Sequence, residues 1–230
     1  MYEDIIAAIT KAKGRKSLYH FTRTGNLPAM AHDDALLSSY RIHPQAAGIR
    51  RVNPVTTRWG GLDRTVNANL RIPASMIDES STLDEFRNYL DRHVFFWPTL
   101  NDCRKMLETY TRREPEESFA VLEFDAASLL AEHAADVKLS KYDSGSSPRF
   151  PARCSYKKSP DMFVPMSLFG MPTKSSVPTR ASDIREVLVE GQVKHLARHL
   201  KSVYVSPVEA VPPAWAGIAR PLGNFPGSPE

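Results

Sequence analysis

Glu186 is out of character with its neighbours. The stretch Ser182-Asp183-Ile184-Arg185-Glu186-Val187-Leu188-Val189-Glu190-Gly191 reads as a short strand from Ile184 to Val189, in which aliphatic and β-branched residues suit a sheet and glutamate does not. Such a carboxylate is either solvated on an edge strand or turned into a cleft, where carboxylates usually do chemistry. Glu190 shares the face of Glu186 at strand spacing, but Gly191 puts it at the turn and makes it the lesser candidate. Three other stretches carry chemistry-bearing residue types. In Leu18-Tyr19-His20-Phe21-Thr22, followed by Asn26-Leu27, a histidine and a threonine could hydrogen-bond a polar ligand from two directions. In Ile49-Arg50-Arg51, the planar guanidinium fork suits a diphosphate, pairing two oxygens at once. In Val94-Phe95-Phe96-Trp97-Pro98, an aromatic wall could stack a flat ring. Each stretch also has an ordinary structural reading: a satisfied histidine, solvated arginines, core aromatics.

The elements that must position these residues can be read from apolar spacing and punctuation. Helices are expected over Tyr2 to Lys13, ended by Gly14, and over Asn26 to His32, Thr82 to Arg92, Thr99 or Asn101 to Arg112, and Ala126 to His133 behind an Asp125 cap. Strands are expected over Ser17 to Phe21, Val94 to Trp97 (stopped by Pro98), Phe119 to Phe124, Ile184 to Val189 and Ser202 to Val205, with a helix near Val193 to Leu200. Residues 38–75 and 141–181 show little periodicity and read as long loops, which are usually functional or mobile. Helices and strands mix without βαβ regularity, so the fold class is α+β. A single domain is expected over residues 1–205. The segment 206–230, with six prolines in 25 residues, reads as an extended or disordered tail.

Composition bounds the rest. The chain has 230 residues, enough for a substantial core. Its net charge of +4 admits anionic partners without demanding them. Charge is unevenly placed: six arginines and one acid lie between Arg41 and Arg71, and seven Lys or Arg and two acids between Lys141 and Arg180. Two such stretches could form one anion-binding face, or simply be solvated surface. No apolar run is long enough to span a bilayer, and Met1 to Thr10 lacks the basic-then-apolar order of a secretion signal. Cys103 and Cys154 stand alone, far apart, so a reducing cytoplasm is the expected setting, with no membrane partner. There is no GxGxxG, no GxxxxGK[ST], no HExxH and no paired-cysteine motif, so no metal is expected in the chemistry.

Taken in order, these stretches resemble DarT-type ADP-ribosyltransferases. Tyr19-His20-Phe21-Thr22 leading to Asn26-Leu27 is similar to that family's opening strand and helix start, and Ile49-Arg50-Arg51 to its arginine-containing segment. Val94 to Pro98 resembles its aromatic strand and proline turn, and Arg185 to Val189 with Gln192-Val193 its late strand. The order agrees to about Val205, although Trp97-Pro98-Thr99-Leu100 stands where the family has an Asn-Pro-Arg turn. The resemblance implies an ADP-ribosyltransferase-like split central β-sheet with flanking helices and long loops. It implies NAD as co-substrate, release of nicotinamide, and attachment of ADP-ribose to single-stranded DNA or RNA by a bacterial toxin, of the DarT or CmdT type, with an antitoxin protein as possible partner.

In that reading Glu186 is catalytic, stabilising the oxocarbenium-like transition state of glycosidic cleavage. Arg51 is the catalytic cation beside the diphosphate, with Arg50 next to it. His20, Phe21, Thr22, Asn26 and Leu27 hold the cofactor, and Phe96 and Trp97 supply pocket walls. The loop before Glu186, with Tyr142, Arg149, Arg153, Lys157 and Lys158, faces the nucleic acid, its charge suiting a phosphate backbone. Two alternatives stay open: a non-enzymatic nucleic-acid-binding protein, and an NAD-using RNA 2′-phosphotransferase, which would need several Arg or His contacts to the extra phosphate.

Overall fold

In the computed structural model, which describes residues 2–145 and 154–226, helix α1 (Tyr2–Thr10) buries Ile6 and Ile9 on one face, as their i, i+3 spacing dictates. Strand β1 (Ser17–Arg23) leads into α2 (Leu27–Asp33), where Pro28 is tolerated because first-turn N–H groups have no intrahelical partner. Next come β2 (Ala35–Leu37), the single turn α3 (Ser39–Ile42), and a hairpin of β3 (Val55–Trp59) and β4 (Leu62–Val66). Helix α4 (Leu83–Asp91) starts at a capping box between Thr82 and Glu85. Strand β5 (His93–Phe96) is followed by α5 (Leu100–Arg113), capped by Thr99, then by β6 (Phe119–Asp125) and α6 (Ala126–Glu132), capped by Asp125. The remaining elements are β7 (Val137–Ser140), β8 (Phe163–Pro165), β9 (Glu186–Glu190), β10 (Gln192–Lys194), α7 (Leu196–His199), β11 (Leu200–Val205) and β12 (Ala219–Pro221).

The class is α+β. One four-stranded sheet runs β1-β6-β11-β12, with β12 parallel to β11 and the other pairs antiparallel. A second, antiparallel sheet runs β5-β9-β7-β8. The sheets meet at one bridge: Tyr19 of β1 and Trp97, just past β5, exchange both backbone hydrogen bonds, at 3.0 and 2.9 Å. Phe96, Phe124, Leu122, Val187 and Val189 share the core beneath this junction, and the Phe96 and Phe124 rings meet edge-on at 5.6 Å. Among the described residues, no helix is long and apolar enough to cross a membrane.

Three segments differ from the sequence expectation. Residues 38–75 hold the β3–β4 hairpin, whose turn is Gly60-Gly61 at φ +60° and +77°. Two adjacent left-handed positions are cheap only for glycine, and they match the twist of the flanking strands. The expected helix near Val193 to Leu200 is a strand pairing with β2, followed by the four-residue α7. Asp34 stops that helix from growing backwards: its carbonyl accepts from Leu196 N at 3.2 Å and its carboxylate from Ala197 N at 2.9 Å. Residues 206–226 are packed turns and a strand rather than an extended tail. Trp215 and Phe225 bury their rings there, which supplies the apolar area that proline content alone does not reveal.

Candidate active site

Beyond the Tyr19–Trp97 bridge, the gap between β1 and β5 holds a cavity of about 230 Å³. His20, Phe21, Thr22, Asn26, Arg51, Trp97 and Glu186 all line it, so residues read separately from four stretches of sequence converge on one space. Residues 65–70 form one wall. A second, outer cleft of about 720 Å³ adjoins it, lined by Arg71, Lys105, Lys141, Tyr142, Asp143, Tyr156 and Arg185 among others. Leu70, Trp97, Met106, Gly145 and Glu186 face both. The inner cavity is smaller than the roughly 300 Å³ at which pockets for drug-sized ligands begin. A ligand as large as a dinucleotide therefore needs both spaces and must pass Glu186.

Glu186 is the first residue of β9, an interior strand, and is only 2% exposed. This is not the solvated edge position. Its Oε1 accepts from the Ser144 amide and the Ser144 hydroxyl, both at 3.1 Å, while its buried Oε2 has no partner among the described residues. Burial, reinforced by nearby Asp143, pushes its pKa up to about 8. Glu190, four residues on, is exposed on another surface.

The loop above Glu186 is held from below. Lys158 is fully buried, and its Nζ donates to the carbonyls of Asp143 at 2.7 Å and Ser144 at 2.8 Å. The Lys158 backbone bonds to Met76 and Asp78, so the ammonium is anchored at both ends. Lys158 is thus a residue that positions the Ser144 donors, not the nucleic-acid contact expected from its place in a basic run. Burial lowers its pKa, against the pull of Asp143 and Glu186. Lys157 is exposed and donates to the Ser75 carbonyl. Arg149 and Arg153 lie outside the described residues.

On the β1 side, His20 donates from Nδ1 to the Phe95 carbonyl at 2.9 Å, because a carbonyl can only accept. Burial lowers its pKa to about 4, so the ring is neutral at pH 7 and Nε2 is its acceptor nitrogen. Asn26 clamps the hairpin instead of standing ready for a ligand. Its Nδ2 donates to the Thr65 carbonyl at 3.0 Å, and its Oδ1 accepts from Thr65 N at 2.8 Å. The same Nδ2 reaches Thr22 Oγ1 at 3.3 Å.

Arg51 is a wall-building residue, not the unpaired cation expected. Its guanidinium forms a fork with buried Asp91 at 2.8 and 2.6 Å and also donates to the carbonyls of Asn67 and Ala46. These bonds use four of its five N–H groups. Arg50 is exposed beside a further pocket of about 350 Å³, which shares Arg51, Asn69 and Leu70 with the inner cavity. Leu27 and Phe96 are fully buried in the main core and do not face the cavity. Alternation along the strand turns Phe95 and Trp97 to the cavity and Phe96 away, so the period of two would have selected Phe95. Sequence reasoning also missed Ser144, Asp91 and Tyr110, which lines the inner cavity and donates from its hydroxyl to the Ala68 carbonyl at 3.2 Å. Ser144 and Asp91 act through partners 42 and 40 residues away, and no local pattern marks that.

The sequence matches the model of a family described as a family of unknown function, DUF7002, over residues 16–200. The chain belongs to this family. The span matched by DUF7002 takes in every residue that lines the inner cavity and the outer cleft, and leaves out α1 and the packed segment after β11. No curated protein matches the chain.

Proposed function

We propose that the two connected spaces form the active site of an NAD-dependent ADP-ribosyltransferase on an ADP-ribosyltransferase-like split sheet. The observation that carries this reading is the placement of Glu186. It is a buried carboxylate with an unpartnered oxygen, at the neck between an aromatic-walled inner cavity and a basic outer cleft. NAD supplies a glycosidic bond whose cleavage releases nicotinamide and develops positive charge on the ribose.

The residues divide that work. Phe95 and Trp97 offer flat apolar surfaces in the inner cavity. Neutral His20 offers an acceptor for a sugar hydroxyl, and Glu186 Oε2 another. Ionised Glu186 stabilises charge developing on the ribose, and Ser144 fixes its orientation in advance. In the outer cleft, Arg71, Lys105, Lys141 and Arg185 outnumber Asp102 and Asp143, and although Lys105 and Arg185 both lie within 4.0 Å of Asp102, the excess of positive charge favours an anionic acceptor. The stacked rings of Tyr142 and Tyr156, 4.0 Å apart, give a nucleobase a platform. These features favour single-stranded DNA or RNA as acceptor; the resemblance to DarT-type enzymes, and not the geometry, suggests a cytoplasmic toxin restrained by an antitoxin as the biological setting.

The reading is tested by nicotinamide release from NAD with wild type and Glu186→Gln. Release that the substitution lowers at least a hundredfold supports it. Equal release by both proteins, or none by folded wild type in the presence of nucleic acid, overturns it. In cells, expression of the wild type should arrest growth and Glu186→Ala should restore it.

A further inference from the structure

Three of the seven histidines gather around one glutamate, on a part of the surface that lines neither the inner cavity nor the outer cleft. Glu132 ends α6 and His133 follows it, while His195 and His199 flank the turn of α7. One donor atom from each of Glu132, His133 and His199 lies within 4.8 Å of the other two. We infer that Glu132, His133 and His199 form a zinc site, with His195 available for the fourth position.

Hydrogen bonding explains part of this cluster and leaves one group over. Glu132 Oε2 meets His199 Nε2 at 2.9 Å, and Glu132 Oε1 meets His195 Nδ1. His133 Nε2 is buried with no hydrogen-bond partner among the described residues, on a side chain that is 9% exposed. An orphaned buried ring nitrogen is costly unless something binds it. The second ring nitrogen of His199 is already held. His199 Nδ1 lies 2.9 Å from the Ser128 hydroxyl. Metal-binding histidines typically have their other nitrogen fixed in this way, which sets the tautomer and the ring angle. The Lys194 backbone lies near the His133 ring and favours its protonated form, against the burial that lowers its pKa.

Two imidazoles and a carboxylate suit zinc better than calcium or magnesium, which take oxygen ligands. With bonds of about 2.1 Å, tetrahedral ligands sit about 3.4 Å apart, so donors within 4.8 Å reach that arrangement by small side-chain rotations. Access is open, because Glu132 is partly exposed and His133 borders a surface cleft. Arg198 approaches Glu132 Oε2 at 3.9 Å, but it is 68% exposed and can swing aside. Bound zinc would tie the end of α6, which follows β6, to α7, which leads into β11 of the same sheet. The site is independent of the proposed catalysis.

The test is calorimetric titration of chelator-treated full-length protein with Zn²⁺, together with thermal melts. The wild type should bind one zinc per chain and melt at a higher temperature with zinc than without. His133→Gln and His199→Gln should each weaken binding at least tenfold. Glu132→Gln, at a partly exposed side chain, should do so without disturbing the fold and serves as the second probe if a histidine variant does not fold. Absence of stoichiometric zinc binding by the wild type would overturn the assignment. So would unchanged affinity in folded His133→Gln or in Glu132→Gln.

Discussion

Lys158 holds Glu186 in position through Ser144: its ammonium fixes the Asp143 and Ser144 carbonyls, and Ser144 in turn gives two hydrogen bonds to the carboxylate. Replacing Lys158 by Met leaves two carbonyls without their buried donor, at about 1–3 kcal/mol for each. It also removes a cation that lowers the Glu186 pKa. Lys158→Met should therefore lower the unfolding midpoint and move the acid limb of the pH–rate profile to higher pH. A purely structural lysine would change the midpoint and leave the limb where it was.

The carboxyl group of Glu186 links pH to both stability and rate. Its pKa is about 8 in the folded chain against an ordinary value of 4.5. Between those values the folded state keeps a proton that the unfolded state has lost, so this group makes stability fall as pH rises. Glu186→Gln cannot ionise and should lack that fall. Melts at pH 5 and pH 8 should show the variant gaining on wild type at the higher pH. For turnover, which needs the ionised form, kcat/KM should rise about tenfold per pH unit below about 8 and then level off.

Arg51 and Asp91 give a contrasting expectation. Both are buried and they pair through two hydrogen bonds, so removing one partner strands a charge. Arg51→Ala should cost about 3–5 kcal/mol in urea unfolding. A variant as stable as wild type but inactive would instead return Arg51 to the role of catalytic cation.

Much of this candidate site was legible because residues that gather in it conflict with their local pattern. Glu186 in an aliphatic strand is one, and His20, two residues from Thr22 on the strand that buries Leu18 and Phe21, is another. What was hidden depends on distance along the chain. That Lys158 is buried follows from its contacts with residues 76, 78, 143 and 144, none of which its basic neighbours signal. That Arg51 is paired follows from Asp91, and that Asn26 is a clamp follows from Thr65. The Gly60-Gly61 turn was visible in the sequence, but its flanking residues are half exposed and weakly alternating, so the hairpin read as loop.

Under the proposed activity, the outer cleft sets the salt dependence of acceptor binding. Lys105 and Arg185 are 77% and 56% exposed along its wall. Lys105→Glu and Arg185→Glu should each raise KM for a nucleic-acid acceptor and reduce the slope of log K against log salt by about 1. An acceptor KM indifferent to both substitutions and to salt would point to a different docking face.

The most direct measurement is transfer of label from adenine-labelled NAD to single-stranded DNA, RNA and total protein in parallel, with wild type and Glu186→Gln. Label should appear on one of the nucleic acids with wild type and be lost with the variant. Label on protein alone would keep the chemistry and refute the acceptor. No label on any of the three, with NAD intact and the wild type folded, would contradict the proposed activity itself.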